Sequence, residues 1–370
     1  MATEKNMLDA LIQHQVYSYR VSTAIVNELF SDFVKSSNGF ASTLRGLIDE
    51  LTGAEKDALL LGKYTTPTLK EIKQEFDLFY QSIAVTMPET FAVSAVALAT
   101  YESLYISQLY GDKVELDGNK TFSKAKKAPI VGGQLFDEVW KNLALTTKDK
   151  ALYRVREGIQ NGLTTAQIIA EIKGKRTKMA DGSYEYVGGV VNEERYRIES
   201  AVRTIRNHVA QVAYENTFSA LGFEYVKDVA TLDGRTSAIC RIRDSKIQKA
   251  TDIKQRPPYH FNCRTAQIGC DRDGKIDGLR PFVADTRSVK NIPKSERDGI
   301  VGQVDANTTY PQWFKNQSAS FQREVLGKTK YELYKNGKYS FDKFIDPLGN
   351  PYTIAELRAL DQKTFKELGL

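Results

Sequence analysis

Residues 192–222 read NEERYRIESAVRTIRNHVAQVAYENTFSALG, and this stretch decides the fold. Its apolar residues recur at spacings of about 3.6, which predicts one long helix with a single apolar face. The residues of that face are Ile198, Ala201, Val202, Ile205, Val209, Val212 and Ala213. We expect Asn192 to cap the helix and Gly222 to end it. Four polar residues lie largely off the face, as either a solvated helix surface or a surface that meets a partner: Arg195, Arg203, Arg206 and Asn207.

The sequence on either side of this helix predicts a predominantly helical α+β protein. Residues 6–110 and 135–172 carry helical periodicity, with helix breaks expected at Asn38-Gly39 and at Pro88. Residues 223–231 are rich in apolar and β-branched side chains, which favours a strand directly after the long helix. A helix followed by a strand therefore forms the centre of the predicted fold.

The same patterns divide the chain into four parts. Residues 1–110 predict a helical N-terminal domain, and residues 111–133 mix Lys, Gly, Asp and Pro as a basic linker does. Residues 134–290 hold the core, with the long helix and a small sheet, and residues 295–370 form a small C-terminal extension. Within the core, Asp-Gly and Gly-Gly pairs bracket the segment from Ser183 to Val187, which predicts an exposed β-hairpin.

Composition excludes several classes of protein. The 370 residues are 41% hydrophobic and 26% charged, as in ordinary soluble globular proteins. No run approaches the ~20 uninterrupted apolar residues of a membrane span, and the nearest candidate, Phe91 to Leu98, is short. The first six residues lack the apolar core of a secretory signal. Three cysteines do not make a disulfide framework and suit a chain made in a reducing cytoplasm. We therefore expect no membrane partner.

Charge is distributed unevenly along the chain, whose net charge is +6. Residues 1–110 carry 8 Lys and Arg against 13 Asp and Glu, whereas residues 111–370 carry 44 against 33. This asymmetry indicates either a basic body that meets an anionic partner or a solvated lysine-rich surface. Two clusters are locally basic: Lys120, Lys124, Lys126 and Lys127, and then Lys173, Lys175, Arg176 and Lys178. Neither has the regular aromatic interleaving of a single-strand stacking platform, so any DNA contact would neutralise phosphates without reading sequence.

All three cysteines and one histidine fall within 31 residues of a loop-like stretch, residues 240–270: Cys240, His260, Cys263 and Cys270. Three thiolates and an imidazole could close a tetrahedral zinc site, which would stabilise a loop with little core of its own. The paired C-x-x-C spacing of zinc loops is absent, however, because Ser237 stands three residues before Cys240. The residues alone therefore leave open a structural metal site, free buried cysteines, and a redox or disulfide role.

Four residues of the same region fit a nuclease site: Asp233, Arg235, His260 and Asn262. His260 would act as general base and Asp233 as a magnesium ligand. No second carboxylate stands beside Asp233 in the sequence to share a metal. The other interpretation is structural, with Asp233 as a turn residue, Arg235 as its ion-pair partner and His260 as a packed or metal-bound side chain.

Two stretches of the chain together resemble a known family. Thr231-Leu-Asp-Gly-Arg-Thr-Ser-Ala-Ile-Cys240 and Pro257-Pro-Tyr-His-Phe-Asn-Cys-Arg264 are similar to the two-part signature of the phage Mu F-like minor head proteins, the phage head morphogenesis proteins. The resemblance covers about residues 150–270, and the C-terminal part is similar to an extension of some members. Ser237 stands where many members have cysteine, so a zinc site of the family's kind would need Cys270 as the missing ligand.

The resemblance implies a non-enzymatic virion component. Members of the family lie inside the capsid in few copies, associate with the portal vertex, and take part in head assembly and in DNA packaging or ejection. The implied partners of this chain are the portal protein, capsid or scaffold components, and double-stranded DNA bound without sequence preference, with the host cytoplasm as the place of assembly. The motif residues carried over are structural in this interpretation: Asp233, Arg235, Thr236, Cys240, His260, Cys263 and Arg264. The alternative function is a metal-dependent phage nuclease or toxin-like effector that uses His260 and Asp233.

Overall fold

The computed structural model describes residues 7–180, 182 and 184–370, so the first six residues, on which the signal prediction rests, lie outside it. In the described part fourteen α-helices and eight short strands form, which confirms the predominantly helical α+β class. The helices are α1 (Met7–Asp49), α2 (Gly53–Leu60), α3 (Pro67–Gln81), α4 (Met87–Leu109), α5 (Gly118–Lys127), α6 (Phe136–Gln160), α7 (Thr165–Lys173), α8 (Gly189–Ala220), α9 (Ala238–Arg243), α10 (Tyr310–Lys315), α11 (Ala319–Leu326), α12 (Lys328–Lys335), α13 (Ile354–Leu360) and α14 (Gln362–Glu367). The strands are β1 (Lys175–Lys178), β2 (Tyr184–Val187), β3 (Tyr225–Val229), β4 (Leu232–Asp233), β5 (Ile247–Lys249), β6 (Ala266–Cys270), β7 (Leu279–Val283) and β8 (Val301–Asp305).

The chain folds into two compact units that are not consecutive in sequence. The first unit consists of the described residues up to Ser18, with Ala99–Asp117 and Ala210–Leu370. The second unit consists of Tyr19–Leu98 and Gly118–Val209. Of the four boundaries along the chain, three fall within α1, α4 and α8, and the fourth lies directly before α5.

The apolar face predicted for the long helix is confirmed. All seven of its residues are buried in α8, with Val202, Ile205 and Val209 at 0% exposure. The helix begins at Gly189, however, so Asn192 lies inside it and is not the cap. The reason is that Val190 and Val191, which precede Asn192, are buried as well and extend the apolar face upstream.

The polar residues of α8 are less exposed than the sequence predicts. Arg203 and Arg206 are only 9% and 6% exposed. Arg203 donates to Glu199 Oε1 over 2.8 Å, in a pair one turn apart on the helix. Arg195 is exposed, and its guanidinium carbon lies 4.9 Å from the ring centre of Phe30. The interpretation as a solvated surface was therefore wrong for Arg203 and Arg206, because both are buried.

Neither predicted break interrupts the N-terminal helices in the expected way. The helix α1 runs through Asn38-Gly39, because Phe40, Ala41 and Leu44 are buried beyond it and their burial outweighs the modest helix cost of one glycine. Between α3 and α4 lies a π-helical turn, Ser82–Thr86, which leads directly to Pro88 near the start of α4. Such a turn accommodates the missing proline N–H inside a continuing helix.

The helical segment Pro67–Leu109 is long and apolar enough to cross a membrane by length and composition alone. Counting uninterrupted apolar runs fails to find it, because small polar residues are interspersed along it. One helix of this kind is weak evidence for a membrane span, since the core helix of a soluble protein passes the same test. Phe91 in this segment has its ring centre 6.0 Å from that of Phe136 and 6.1 Å from that of Trp140, as in a packed core.

In the second unit, one segment expected as irregular contains a helix, and the predicted hairpin extends beyond its expected bounds. The region 111–133, expected as a linker, contains α5, whose Phe122 and Ala125 are buried. β1 and β2 pair antiparallel, with Lys175 opposite Val187 and Lys178 opposite Tyr184. The hairpin is therefore larger than the predicted segment: the basic cluster supplies its first strand, and Ser183 lies outside the described residues.

The described part of the first unit contains two three-stranded sheets. In one, β3 is central and pairs antiparallel with β5 and β6. In the other, β7 is central, parallel to β4 and antiparallel to β8. The stretch 240–270 is thus not only loop, since it supplies most of α9, all of β5 and β6. Tyr214 and Phe218 of α8 pack with Val226 and Ile268 in one core, while α10 to α14 enclose a second core rich in aromatic residues.

Candidate functional site

The acidic turn residue Asp233 lies at the centre of a hydrogen-bond cluster. It ends β4 and is 1% exposed. Arg264 donates two hydrogen bonds to this carboxylate, from Nη1 to Oδ2 over 2.5 Å and from Nη2 to Oδ1 over 2.8 Å. The backbone N–H of Arg235 donates to Oδ1 over 3.0 Å, and Arg235 Nη2 lies 3.2 Å from Oδ2. Thr236 Oγ1 lies 3.0 Å from Oδ1. We call these four residues the Asp233 cluster.

The electrostatics of this cluster favour the ionised pair. Burial raises the pKa of Asp233, but the hydrogen bonds and charge of Arg264 outweigh burial, so that the pKa lies below its usual value. Burial lowers the pKa of Arg264, and the same contacts with Asp233 reverse that effect and raise the pKa. A bidentate arginine–carboxylate pair is strong and geometrically specific. The pair therefore ties the turn after β4 to the residue that follows Cys263.

The two thiols and the imidazole of the motif meet in a second cluster. Cys240 Sγ lies 3.2 Å from His260 Nε2 and 3.6 Å from Cys263 Sγ, and the three donor atoms lie within 4.8 Å of one another. Both cysteines are buried, and His260 is partly exposed. Cys240 is placed by α9, whose N-cap Ser237 accepts the Cys240 N–H through Oγ. We call Cys240, His260 and Cys263 the thiol cluster.

The ring of His260 is oriented by its own loop. Nδ1 lies 2.8 Å from the carbonyl oxygen of Phe261, which can only accept, so Nδ1 carries the proton. The other nitrogen, Nε2, therefore faces the sulfurs, as in a histidine that holds a metal.

The protonation states in the thiol cluster are coupled. Burial raises the pKa of Cys263, but hydrogen bonds from Cys240 and His260 outweigh it and hold the pKa well below its usual value. The hydrogen bond to Cys263 and then burial raise the pKa of Cys240. Burial lowers the pKa of His260, and the contact with Cys263 overcomes this and raises it. These directions favour the thiolate on Cys263 and the thiol on Cys240.

Three residues of the thiol cluster fit a metal. Zinc–sulfur bonds of about 2.3 Å and zinc–nitrogen bonds of about 2.0 Å in a tetrahedron give ligand separations of about 3.5–3.8 Å. The observed separations of 3.2 and 3.6 Å are close to that range. The structure does not bring Cys270 to this cluster: it ends β6, packs in the core with Tyr214 and Phe218, and has a pKa raised to about 11, chiefly by burial. The expectation that Cys270 supplies the fourth ligand is corrected accordingly.

The structure places Asp233 and His260, the two main residues of the nuclease interpretation, in separate clusters. Asp233 is engaged by Arg264 and Arg235, and His260 faces the two sulfurs. Asn262 stands in the left-handed backbone region, with φ of 60°. The carboxylate and the imidazole thus each have partners within the protein.

A buried ion pair in the first unit gave no signal in the sequence. Arg280 of β7 is 1% exposed and donates from Nη2 to Asp244 Oδ1 over 2.7 Å and from Nη1 to Oδ2 over 3.1 Å. Arg280 also donates to the carbonyl oxygen of Thr308 over 2.7 Å. Asp244 accepts the backbone N–H of Ala230 at 2.8 Å and of Tyr310 at 2.6 Å. The pair therefore connects β7, the end of α9 and the start of α10. The sequence did not predict the pair because Asp244 and Arg280 are far apart along the chain.

The two basic clusters lie on different elements of the second unit. Lys120, Lys124, Lys126 and Lys127 lie on α5. Lys126 pairs with Asp137 at 3.4 Å and lies 5.4 Å from the ring centre of Phe136. Lys173 is in the last turn of α7, and Lys175, Arg176 and Lys178 are exposed residues of β1.

Comparison with known proteins gives one match. Residues 149–268 match the sequence model of the family described as phage Mu protein F like protein. No curated protein and no solved structure matches the chain. The matched segment includes α8, the Asp233 cluster and the thiol cluster, and the family suggests a structural head morphogenesis protein of a bacteriophage, associated with the capsid. The resemblance predicted from the two motif stretches is therefore confirmed: residues 149–268 are similar to the phage Mu F-like proteins.

Proposed function

We propose that the chain is a non-enzymatic minor capsid protein that lies inside the phage head at the portal vertex. In this role it takes part in head assembly and in DNA packaging or ejection, with the portal protein and capsid or scaffold components as partners. The family match over residues 149–268 is the observation that carries the proposal. The contacts within the motif agree with a structural role, because Asp233 and His260 are both engaged by other residues of the protein.

The same proposal includes contact with double-stranded DNA without sequence preference. The excess of basic residues after residue 110 supports it, since phosphate neutralisation supplies most of the affinity in sequence-independent binding. The acidic residues 1–110 are then the part that meets protein. Equal or salt-independent retention of DNA by the full chain and by a variant with both basic clusters neutralised would contradict the DNA part.

The direct test is the composition of assembled heads. Purified heads and the isolated portal protein are each probed for this chain, and the purified chain is assayed for metal-dependent cleavage of DNA and RNA. We expect co-purification with portal protein and no turnover. Cleavage that is lost in His260→Ala, while the circular dichroism spectrum is retained, would establish the nuclease instead, and absence of the chain from heads would overturn the capsid role.

We further propose that Cys240, His260 and Cys263 hold a structural zinc ion. Bound there, zinc would fix the loop that carries His260 onto α9 and so stabilise a segment with few core residues of its own. The separations of the three donor atoms support this.

Elemental analysis of the purified full chain tests the metal. We expect about one zinc ion per chain, retained in Cys270→Ala and lost in Cys263→Ala. Cys270→Ala is the matched control, because Cys263 and Cys270 are both buried and only Cys263 belongs to the thiol cluster. Protein without zinc after preparation in zinc-supplemented medium, or equal zinc in both variants, would refute the site.

A further inference from the structure

The basic arm, which we define as residues 175–187, projects from the second unit between α7 and α8. β1 and β2 pair in it over four positions, from Lys175 opposite Val187 to Lys178 opposite Tyr184. Every residue of β1 is exposed, and so are Met179, Ala180 and Gly182 beyond it. The arm is thus a two-stranded ribbon whose basic strand faces solvent.

The base of the arm is a neck made of glycines. Gly174, Gly188 and Gly189 have φ of 84°, 74° and 73°, in the left-handed region that favours glycine. A Cβ added to Gly174 would lie 2.5 Å from the carbonyl oxygen of Gly188, and one added to Gly189 would lie 2.2 Å from the backbone nitrogen of Gly174. The two chain ends of the arm therefore touch backbone to backbone, which holds the ribbon in a defined direction.

The register of the arm determines which of its residues share a face of the ribbon. Directly opposite residues share a face of an antiparallel ribbon, and so do alternate residues along a strand. Arg176 is paired with Tyr186 and Lys178 with Tyr184, so these four positions belong to one face. The acidic residue Glu185 is paired with Thr177 and belongs to the other face. Arg176 and Lys178 therefore belong to one face of the ribbon, and Lys175 belongs to the other.

We propose that the basic arm is the element that holds double-stranded DNA, by contacts to the phosphate backbone from the face that carries Arg176 and Lys178. The inference rests on the DNA contact proposed above and assigns it to one element. Arginine and lysine are among the side chains that contact DNA phosphates. A two-stranded ribbon is of a size to enter the major groove of duplex DNA. The helix α5 is the weaker candidate, because Lys126 is only partly exposed, whereas Lys175, Arg176 and Lys178 are all exposed.

The experiment compares two variants of the full chain that lose the same charge. One carries Lys175→Gln, Arg176→Gln and Lys178→Gln in the arm, and the other carries Lys120→Gln, Lys124→Gln and Lys127→Gln on α5. Binding of a duplex of mixed sequence is measured across a salt series. Each lost phosphate contact lowers the salt slope by about 1. We expect a loss of about 2 for the arm variant, because Lys175 belongs to the other face of the ribbon, and little change for the α5 variant. The variant Lys178→Gln alone should lose about 1 and repeats the test with a smaller change.

Each other outcome has a separate meaning. Equal losses in both triple variants would overturn the role of the arm and leave the proposed DNA contact standing. A wild-type chain that does not retain duplex DNA would refute the proposed DNA contact together with the arm. Tighter, arm-dependent binding of a single strand of the same length would overturn the assignment to duplex DNA. Thermal unfolding of each variant checks that the fold is intact, and we expect no shift because the substituted residues of β1 are exposed.

Discussion

For single residues of the motif, the sequence predicted which residues form close contacts but not which residues they contact. The sequence paired Asp233 with its neighbour Arg235, whereas Arg264, 31 residues further on, makes the two shorter contacts. Of the four residues considered as metal ligands, the structure brings Cys240, His260 and Cys263 together and places Cys270 elsewhere. The strand β6 explains this, because an extended strand advances roughly 3.3 Å per residue and carries its last residue away from Cys263. Proximity of this kind depends on strand pairing, which spacing in a sequence does not give.

The Asp233 cluster predicts a stability effect of one charge. Asp233→Asn leaves the partly buried guanidinium of Arg264 without its counter-charge, and we expect a loss of about 2–3 kcal/mol in the free energy of unfolding. Urea unfolding followed by fluorescence measures it. The control is Asp32→Asn, which removes one partner of the exposed pair with Lys35 and should cost less than about 0.5 kcal/mol. Equal losses in the two variants would show that the cluster contributes no special stability.

Asp228 of β3 predicts a pH dependence of the opposite sign to that of an ordinary salt bridge. Burial raises its pKa to about 6, despite hydrogen bonds from Tyr259 and Gln267 and the charge of Arg243. Because the folded pKa exceeds the unfolded one, the folded state binds the proton more tightly, and stability falls as pH rises through about 6. We expect Asp228→Asn to flatten the fall in stability between about pH 4 and 6, the range between the unfolded and folded pKa values. A variant with an unchanged pH profile would assign the fall to another group.

At the scale of elements, the local sequence pattern correctly predicted those helices and strands that bury one apolar face. The apolar face of α8 and the strand after Gly222 were predicted correctly, because periodicity reports burial directly. β5 and β6 were missed since both are short and owe their existence to pairing with β3. The break expected at Asn38-Gly39 is absent because a weak local preference yields to the burial of neighbouring side chains in α1.

The glycine neck predicts a position where alanine is not tolerated. Gly189→Ala places a Cβ 2.2 Å from the nitrogen of Gly174 at a φ of 73°, and we expect it to destabilise the second unit by about 1–3 kcal/mol. In the control, Gly39→Ala, the added Cβ meets nothing within 4 Å in the middle of α1. That substitution should stabilise by about 0.5–1 kcal/mol. Thermal unfolding distinguishes the two, and a neutral Gly189→Ala would contradict the close approach.

At the scale of the whole molecule, the discontinuity of the two units could not be predicted from the sequence. The four consecutive parts follow composition along the chain, whereas the two units follow contacts between residues far apart in sequence. Buried polar pairs are invisible for the same reason, and Asp244 and Arg280 illustrate it. The predominantly helical class was predicted correctly, because helical periodicity recurs over long stretches of the chain.

This buried pair predicts non-additive behaviour in the first unit. Arg280→Met alone strands the Asp244 carboxylate in the interior and should cost about 3–5 kcal/mol. The double variant Asp244→Asn, Arg280→Met removes the stranded charge and should recover part of that loss. Urea unfolding of the wild type, both single variants and the double variant completes the cycle. Additive losses would mean that the two side chains act independently.

The glycine neck also makes the chain convenient to engineer. Where entry and exit of a ribbon lie side by side, the ribbon can be exchanged for a foreign peptide of similar form while the flanking helices keep their ends in place. An epitope or a fluorophore-binding hairpin spliced between Gly174 and Gly188 would then label the chain at one known point.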